Sequence, residues 1–139
     1  MSEYARSMAA ATDDIWNRAL DDDWDATLGG DIALRNVLTF DGMVQNGGLW
    51  YAVEVHAADE EFPIAAIVDG YRTLGLETTA HVIERAHEEY EKTVGIGDDE
   101  AWADAEERIT EEYTLESEDL SDALERTLTQ EPELFAPLD

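Results

Sequence analysis

His81, Glu84 and His87 recur at every third residue, and Glu84-Arg85-Ala86-His87 reads Glu-x-x-His. On a helix, residues three and four apart share a face. A carboxylate and an imidazole at this spacing could therefore hold a metal ion. Carboxylate-bridged bundles need two such motifs plus a glutamate from each of two further helices. The second motif is missing, because Val53 stands three residues before His56 and Thr78 three before His81. His87 reads instead as a half-buried face residue and His81 as a solvent-facing one. No metal and no other cofactor is expected. Nucleophilic chemistry has no better footing: there is no cysteine, and no serine sits in a glycine-framed elbow. Gly95-Ile96-Gly97 follows no strand, so it is no phosphate-binding fingerprint. Aspartate pairs abound, but among 35 acidic residues any pair spacing occurs by chance. No catalytic residue is assigned, and the chain is not expected to be an enzyme.

The side chain that dominates is the carboxylate. Aspartate and glutamate number 35 against seven arginines and one lysine, a formal charge of −27 over 139 residues. Charge of this size opposes compaction and favours cationic partners or high salt. Its sign excludes direct nucleic-acid binding and adhesion to anionic lipid. Many of the acids fall at helical steps. Glu84, Glu88 and Glu91 make one row, Asp104, Glu107 and Glu111 a second, and Glu118, Asp122 and Glu125 a third. Neighbours in a row stand about 5–6 Å apart, the order of the roughly 3.4 Å rise per phosphate along a DNA strand. Each like-charged pair costs a helix roughly 0.2–0.5 kcal/mol, and only Arg108 and Arg126 interrupt the last two rows. Such repulsion is accounted for if a basic partner relieves it, or if the faces are simply solvated in a high-salt cytoplasm. Trp24 lies among Asp21, Asp22, Asp23 and Asp25. It either offers its ring to a basic partner or folds back over the first helix, the second reading being favoured.

The elements that must carry these rows read as helices. The length predicts one domain with one core, and 44% apolar residues suffice to build it. Apolar residues recur at helical spacing almost throughout. Met8, Ile15, Trp16, Ala19 and Leu20 outline a first helix. Leu34, Val37, Leu38 and Val44 outline a second, starting after Gly29-Gly30-Asp31, and Leu49, Trp50, Val53 and His56 a short third. Pro63 suits the first position of a fourth, with Ile64, Ile67, Val68, Tyr71 and Leu74 on one face and Gly75 as terminator. The fifth carries Ala80, Ile83, Ala86, His87, Tyr90 and Val94 and stops at Gly95-Ile96-Gly97. Asp98 or Asp99 caps a sixth with Trp102, Ala105, Ile109 and Tyr113. Ser117 caps a seventh with Leu120, Ala123, Leu124 and Leu128. The tail EPELFAPLD, with two prolines, is expected to be irregular. The expectation is thus an all-α, single compact domain of about seven helices over 1–139. Its charge is uneven: residues 98–139 hold 16 acidic residues and two basic ones. The N-terminus lacks a basic start followed by an apolar run, and no stretch approaches the roughly 20 apolar residues that span a bilayer. A cytoplasmic protein is expected.

Asn46-Gly47-Gly48 followed by Leu49, between two helices, stands out within this pattern. With Ala66, Leu74-Gly75, Ala80, Ile83, Ala86 and Tyr90 downstream, residues 37–94 resemble a bacterial family of domains of unknown function. That family is typified by an acidic DNA-mimic protein that binds a helix-turn-helix transcription factor. Its members usually show an aromatic, a glutamine and further aromatics after the glycines. Here Leu49, Trp50, Tyr51 and Ala52 follow, without the glutamine. The resemblance implies an all-helical fold, a basic DNA-binding protein as partner, a role in transcription regulation and a homodimer. The alternative is a salt-adapted helical domain with an unrelated regulatory or immunity role. For Asn46-Gly47-Gly48 a structural hinge is favoured over a ligand loop. Gly47 would take the left-handed conformation that stops the second helix, and Gly48 would let the third approach closely.

Overall fold

The computed structural model describes residues 3–138, the side chains of residues 4–6 excepted. Seven α-helices follow one another: α1 (Glu3–Ala19), α2 (Gly29–Gly47), α3 (Leu49–Ala57), α4 (Ile64–Thr73), α5 (Glu77–Ile96), α6 (Asp99–Thr110) and α7 (Ser117–Gln130). A 3₁₀ turn, Pro132–Leu134, follows, and there is no strand among the described residues. The hub is α2, whose Leu34, Val37 and Phe40 are wholly buried. It packs on α1, α3, α4 and the C-terminal turn; α5 lies against α3 and α4, α6 against α3 and α5, and α7 against α1 and the turn. At Gly70 the crossing of α4 over α2 is close, since a β-carbon there would stand 3.0 Å from the Ala33 carbonyl oxygen.

Burial outweighs surface repulsion in the acidic helices. Ile109 of α6 and Leu120 and Leu124 of α7 are buried to within 1%. Each contributes about 1.5–3 kcal/mol, several times the roughly 0.2–0.5 kcal/mol cost of one like-charged pair. The helix starts are also charge-matched. Asp98 caps α6 by accepting from the Glu100 N–H at 3.0 Å. At α7 the cap is Glu116, one residue before the expected Ser117, and its N–H donates to Asp119 at 2.9 Å.

Several sequence expectations shift by a residue or a face. Pro63 caps α4 from outside, with Ile64 as the first helical residue. Gly75 ends α4 as expected, at φ +77°. Leu20 and Val94, read as apolar-face residues, are 56% and 51% exposed; α1 ends at Ala19, and α5 buries Thr93 instead of Val94. Tyr113 lies beyond the end of α6. The largest change concerns Gly29-Gly30-Asp31, which forms the first turn of α2 instead of preceding it. Gly30 is there for the tail: a β-carbon on it would meet Phe135 Cζ at 2.8 Å. The tail is correspondingly packed, with Phe135 buried and the Ala136 N–H donating to Asp31 at 2.8 Å.

The glycine pair is a hinge with its two roles exchanged. Gly48 carries the positive φ, +90° with ψ 165°, a conformation that only glycine adopts cheaply. Its N–H closes α2 on the Val44 carbonyl at 2.7 Å. Gly47 is the close-approach residue, because a β-carbon there would lie 2.5 Å from the Tyr51 ring. Leu49 and Trp50 turn fully into the core.

Candidate partner-binding surface

Cations are scarce in this chain, and their contacts decide which carboxylates are left unpaired. Arg18 on α1 donates to Asp31 at 2.9 Å and to the Ala136 carbonyl at 3.0 Å, joining α1, α2 and the tail. Arg35 donates to the carbonyls of Ala19, Asp21 and Trp24 and so closes the α1–α2 loop. Arg72 on α4 pairs with Glu77 and Glu84 of α5. Arg108 on α6 pairs with Glu89 of α5, and Arg85 on α5 with Glu112 beyond α6. The hydrogen bond from Arg108 holds the Glu89 carboxyl below the usual carboxylate range. Each of these arginines fastens one element to another.

The rows divide accordingly. Glu84 is half-buried and bonded to Arg72, so among the described residues it is the one row member joined to an arginine. Glu91 lies 3.1 Å from His87 Nε2, which is buried and lacks hydrogen-bond alignment. Glu88, Asp104, Glu107, Glu111, Glu118, Asp122 and Glu125 are exposed, with no ion pair among the described residues. Glu84 and Glu88 line a groove between α4 and α5, and Glu88 and Asp104 line another between α5 and α6. The α5 and α6 rows are thus neighbours. The α7 row stands apart, since α7 packs on α1 and the tail. Beside Glu118 the fold sets Asp13 of α1. Sequence reading passed over Asp13 because nothing local joins residues 13 and 118; only the α1–α7 contact does.

The remaining polar groups are structural in their geometry. Tyr71 and Tyr113 share a 2.7 Å hydrogen bond, and Tyr113 donates on to Asp41 at 2.7 Å. This chain ties the α6–α7 connection to α4 and α2, and burial raises both phenols above their ordinary range. His56 is buried, with Nδ1 3.2 Å from the Phe62 carbonyl and Nε2 3.2 Å from Met43 Sδ. Burial holds it below the ordinary imidazole value, against the smaller raising effects of the Phe62 carbonyl and Asp59. His81 is exposed and His87 partly buried, as read from the sequence. Among the described residues no three metal-ligating side chains converge. Trp24 folds back toward the first helix, with the Arg18 guanidinium 4.2 Å from its ring centroid. Asn46 and Gly47 are exposed on the hinge, with Gly48 partly so. No described helix is long and apolar enough to cross a membrane.

The sequence profile of the family described as DMP19-like protein matches residues 26–136. That span extends beyond 37–94 in both directions and takes in α6 and α7. No curated protein and no solved structure matches the chain. The chain belongs to the DMP19-like protein family.

Proposed function

We propose that this DMP19-like chain is an acidic protein-binding module and DNA mimic, which occupies the DNA-binding surface of a basic protein such as a helix-turn-helix regulator. The observation that carries the reading is the asymmetry of charge partners. Arg18, Arg35, Arg72, Arg85 and Arg108 are engaged at internal joints. Although Lys92 and Arg108 line the α5–α6 groove with Glu88 and Asp104, the exposed row members other than Glu91 have no ion pair among the described residues. Unneutralised carboxylates about 5–6 Å apart along a helix offer a basic surface what a phosphate track offers it. They also release ordered counterions when paired, which makes binding steeply salt-dependent. Glu88, Glu91, Asp104, Glu107 and Glu111 form one proposed face; Glu118, Asp122 and Glu125, joined by Asp13, form another. A homodimer would multiply these faces. Glu84 belongs to the first row by position and to the α4–α5 joint by bonding.

A different observation favours the alternative of a salt-adapted helical domain with a regulatory or immunity role. Exposed acids also stud Asp21, Asp22, Asp23 and Asp25 and the Glu60-Glu61 turn, so acidity extends beyond the proposed faces. Capture of partners from host lysate at low and high salt separates the two. The mimic should retain a helix-turn-helix protein, compete with its operator DNA and release it as salt rises. Reversal of Asp104, Glu107 and Glu111 to lysine should abolish that complex with helicity kept. A chain that captures no DNA-binding protein and unfolds below molar salt is the salt-adapted domain instead.

A further inference from the structure

Between α1 and α7 lies a hollow of about 280 Å³ bounded by Asp13, Trp16 and Asn17 on one side and Ser117, Glu118 and Ser121 on the other. Trp16 packs against the core and is only partly buried, so its ring both supports the fold and lines the hollow. Asp13 and Glu118 are exposed, one on each wall. Pockets for whole small molecules run about 300–1,000 Å³, so this one has the size for a single long side chain.

The chain already contains one arrangement of this chemistry. At Trp24 the Arg18 guanidinium lies 4.2 Å from the ring centroid while it donates to the Asp31 carboxylate. At Trp16 a ring again stands with carboxylates, here two, but no described cation of the chain lies over the ring. Arg18 is held by Asp31 and the tail, and Arg126 approaches the α4–α5 turn at Gly75. The positive end of α7 amounts to about half a unit charge and is outweighed by Glu116, Glu118 and Asp119 in and beside its first turn.

We propose that this hollow is an anchor for one arginine side chain of the basic partner, with its guanidinium against Trp16 and hydrogen-bonded to Asp13 and Glu118. The proposal rests on the basic-partner reading and names a contact outside the carboxylate rows. A guanidinium fits better than an ammonium, because its planar fork stacks on an indole while donating sideways to carboxylates. Buried tryptophan–arginine contacts of this kind are where binding energy concentrates in protein interfaces.

The test follows the four tryptophan indole N–H signals of the full chain by NMR, with Trp16 assigned through Trp16→Phe. The probes are blocked Gly-Arg-Gly, Gly-Lys-Gly and Gly-citrulline-Gly tripeptides. The Trp16 signal should shift saturably with the arginine peptide, at least about fivefold more weakly with lysine, and not with citrulline. Asp13→Asn with Glu118→Gln, both exposed positions, should weaken the arginine response about tenfold or more. Equal responses to arginine and lysine overturn the guanidinium assignment. Shifts confined to α5 and α6 amides overturn the hollow while leaving the carboxylate faces in place. A specific Trp16 response in a chain that captures no DNA-binding protein keeps the arginine site and sinks the mimic.

Discussion

The Arg18–Asp31 joint and the outer faces of α6 and α7 are made from the same kinds of side chain, yet they are organised in opposite ways. At the joint the carboxylate is fully buried, and both of its oxygens are used, one by Arg18 and one by the Ala136 N–H. On the outer faces Glu107, Glu111, Asp122 and Glu125 are exposed and unpaired among the described residues. A single arginine at the joint fixes three segments. A whole row of acids on α6 fixes none. The contrast teaches that charge here has two separable uses, and that each answers to a different perturbation.

Breaking the joint should have the largest effect. Asp31→Ala removes the partner of a guanidinium whose Nε is already buried without one, and it orphans the Ala136 N–H. Removing one member of a buried pair costs about 3–5 kcal/mol, which for a chain of this size is a fall in Tm of roughly 10 °C or more. Thermal unfolding followed by circular dichroism measures it, and limited proteolysis should find the tail released. A loss no larger than that of a surface substitution would erase the distinction between joint and face.

The hinge comes next. Gly48→Ala places a side chain at φ +90° with Thr110 Oγ1 only 3.2 Å from its β-carbon. Strain of this kind costs about 1–3 kcal/mol. Gly42→Ala is the matched control within α2, because a β-carbon there meets nothing within 4 Å. It should stabilise by about 0.4–1 kcal/mol. Chemical denaturation of the two variants should therefore move the midpoint in opposite directions.

A smaller effect separates buried from exposed titration. Burial lowers the pKa of His56, so the folded state takes up its proton later than the unfolded state as pH falls. Its contribution is complete above the ordinary imidazole pKa of about 6.5 and is lost as the pH drops below it. Stability measured from pH 7.5 to 5.5 should decline in the native chain and decline less in His56→Gln. Equal slopes would show that His56 does not set the pH dependence in this range.

These joints explain what could and could not be read in the sequence. Helix positions were legible because Leu34, Val37, Leu38 and Val44, or Ile64, Ile67, Val68 and Tyr71, repeat at the helical period that burial imposes. What was not legible depends on contacts between distant residues. Gly30 looked like a helix-preceding turn because its reason, Phe135, lies at the other end of the chain. Val94 fitted the α5 pattern, but the face that meets the neighbouring helices runs through Thr93, which leaves Val94 on the outer side. For the candidate faces, spacing located the rows and could not tell that Glu84 meets Arg72, nor that Asp13 stands beside Glu118. Both facts are products of helix packing.

The smallest predicted effect draws the sharpest line between the regions. Glu107 has Asp104 one step before it and Glu111 one step after, and all three are exposed. Glu107→Gln relieves two like-charged pairs at once, each costing roughly 0.2–0.5 kcal/mol at low ionic strength. Stability in dilute buffer should therefore rise by up to about 0.4–1 kcal/mol, the two pairs together. The gain should vanish by about 1 M salt, where the Debye length shrinks to about 3 Å. The loss in Asp31→Ala, arising in a buried pair, should persist across the same range. Urea unfolding of both variants at low and high salt checks the crossing. If Glu107→Gln destabilises, the α6 carboxylates support the fold and the row is no free face. If it stabilises and also weakens capture of the basic partner, the chain bears a standing repulsion that, in dilute buffer, binding relieves.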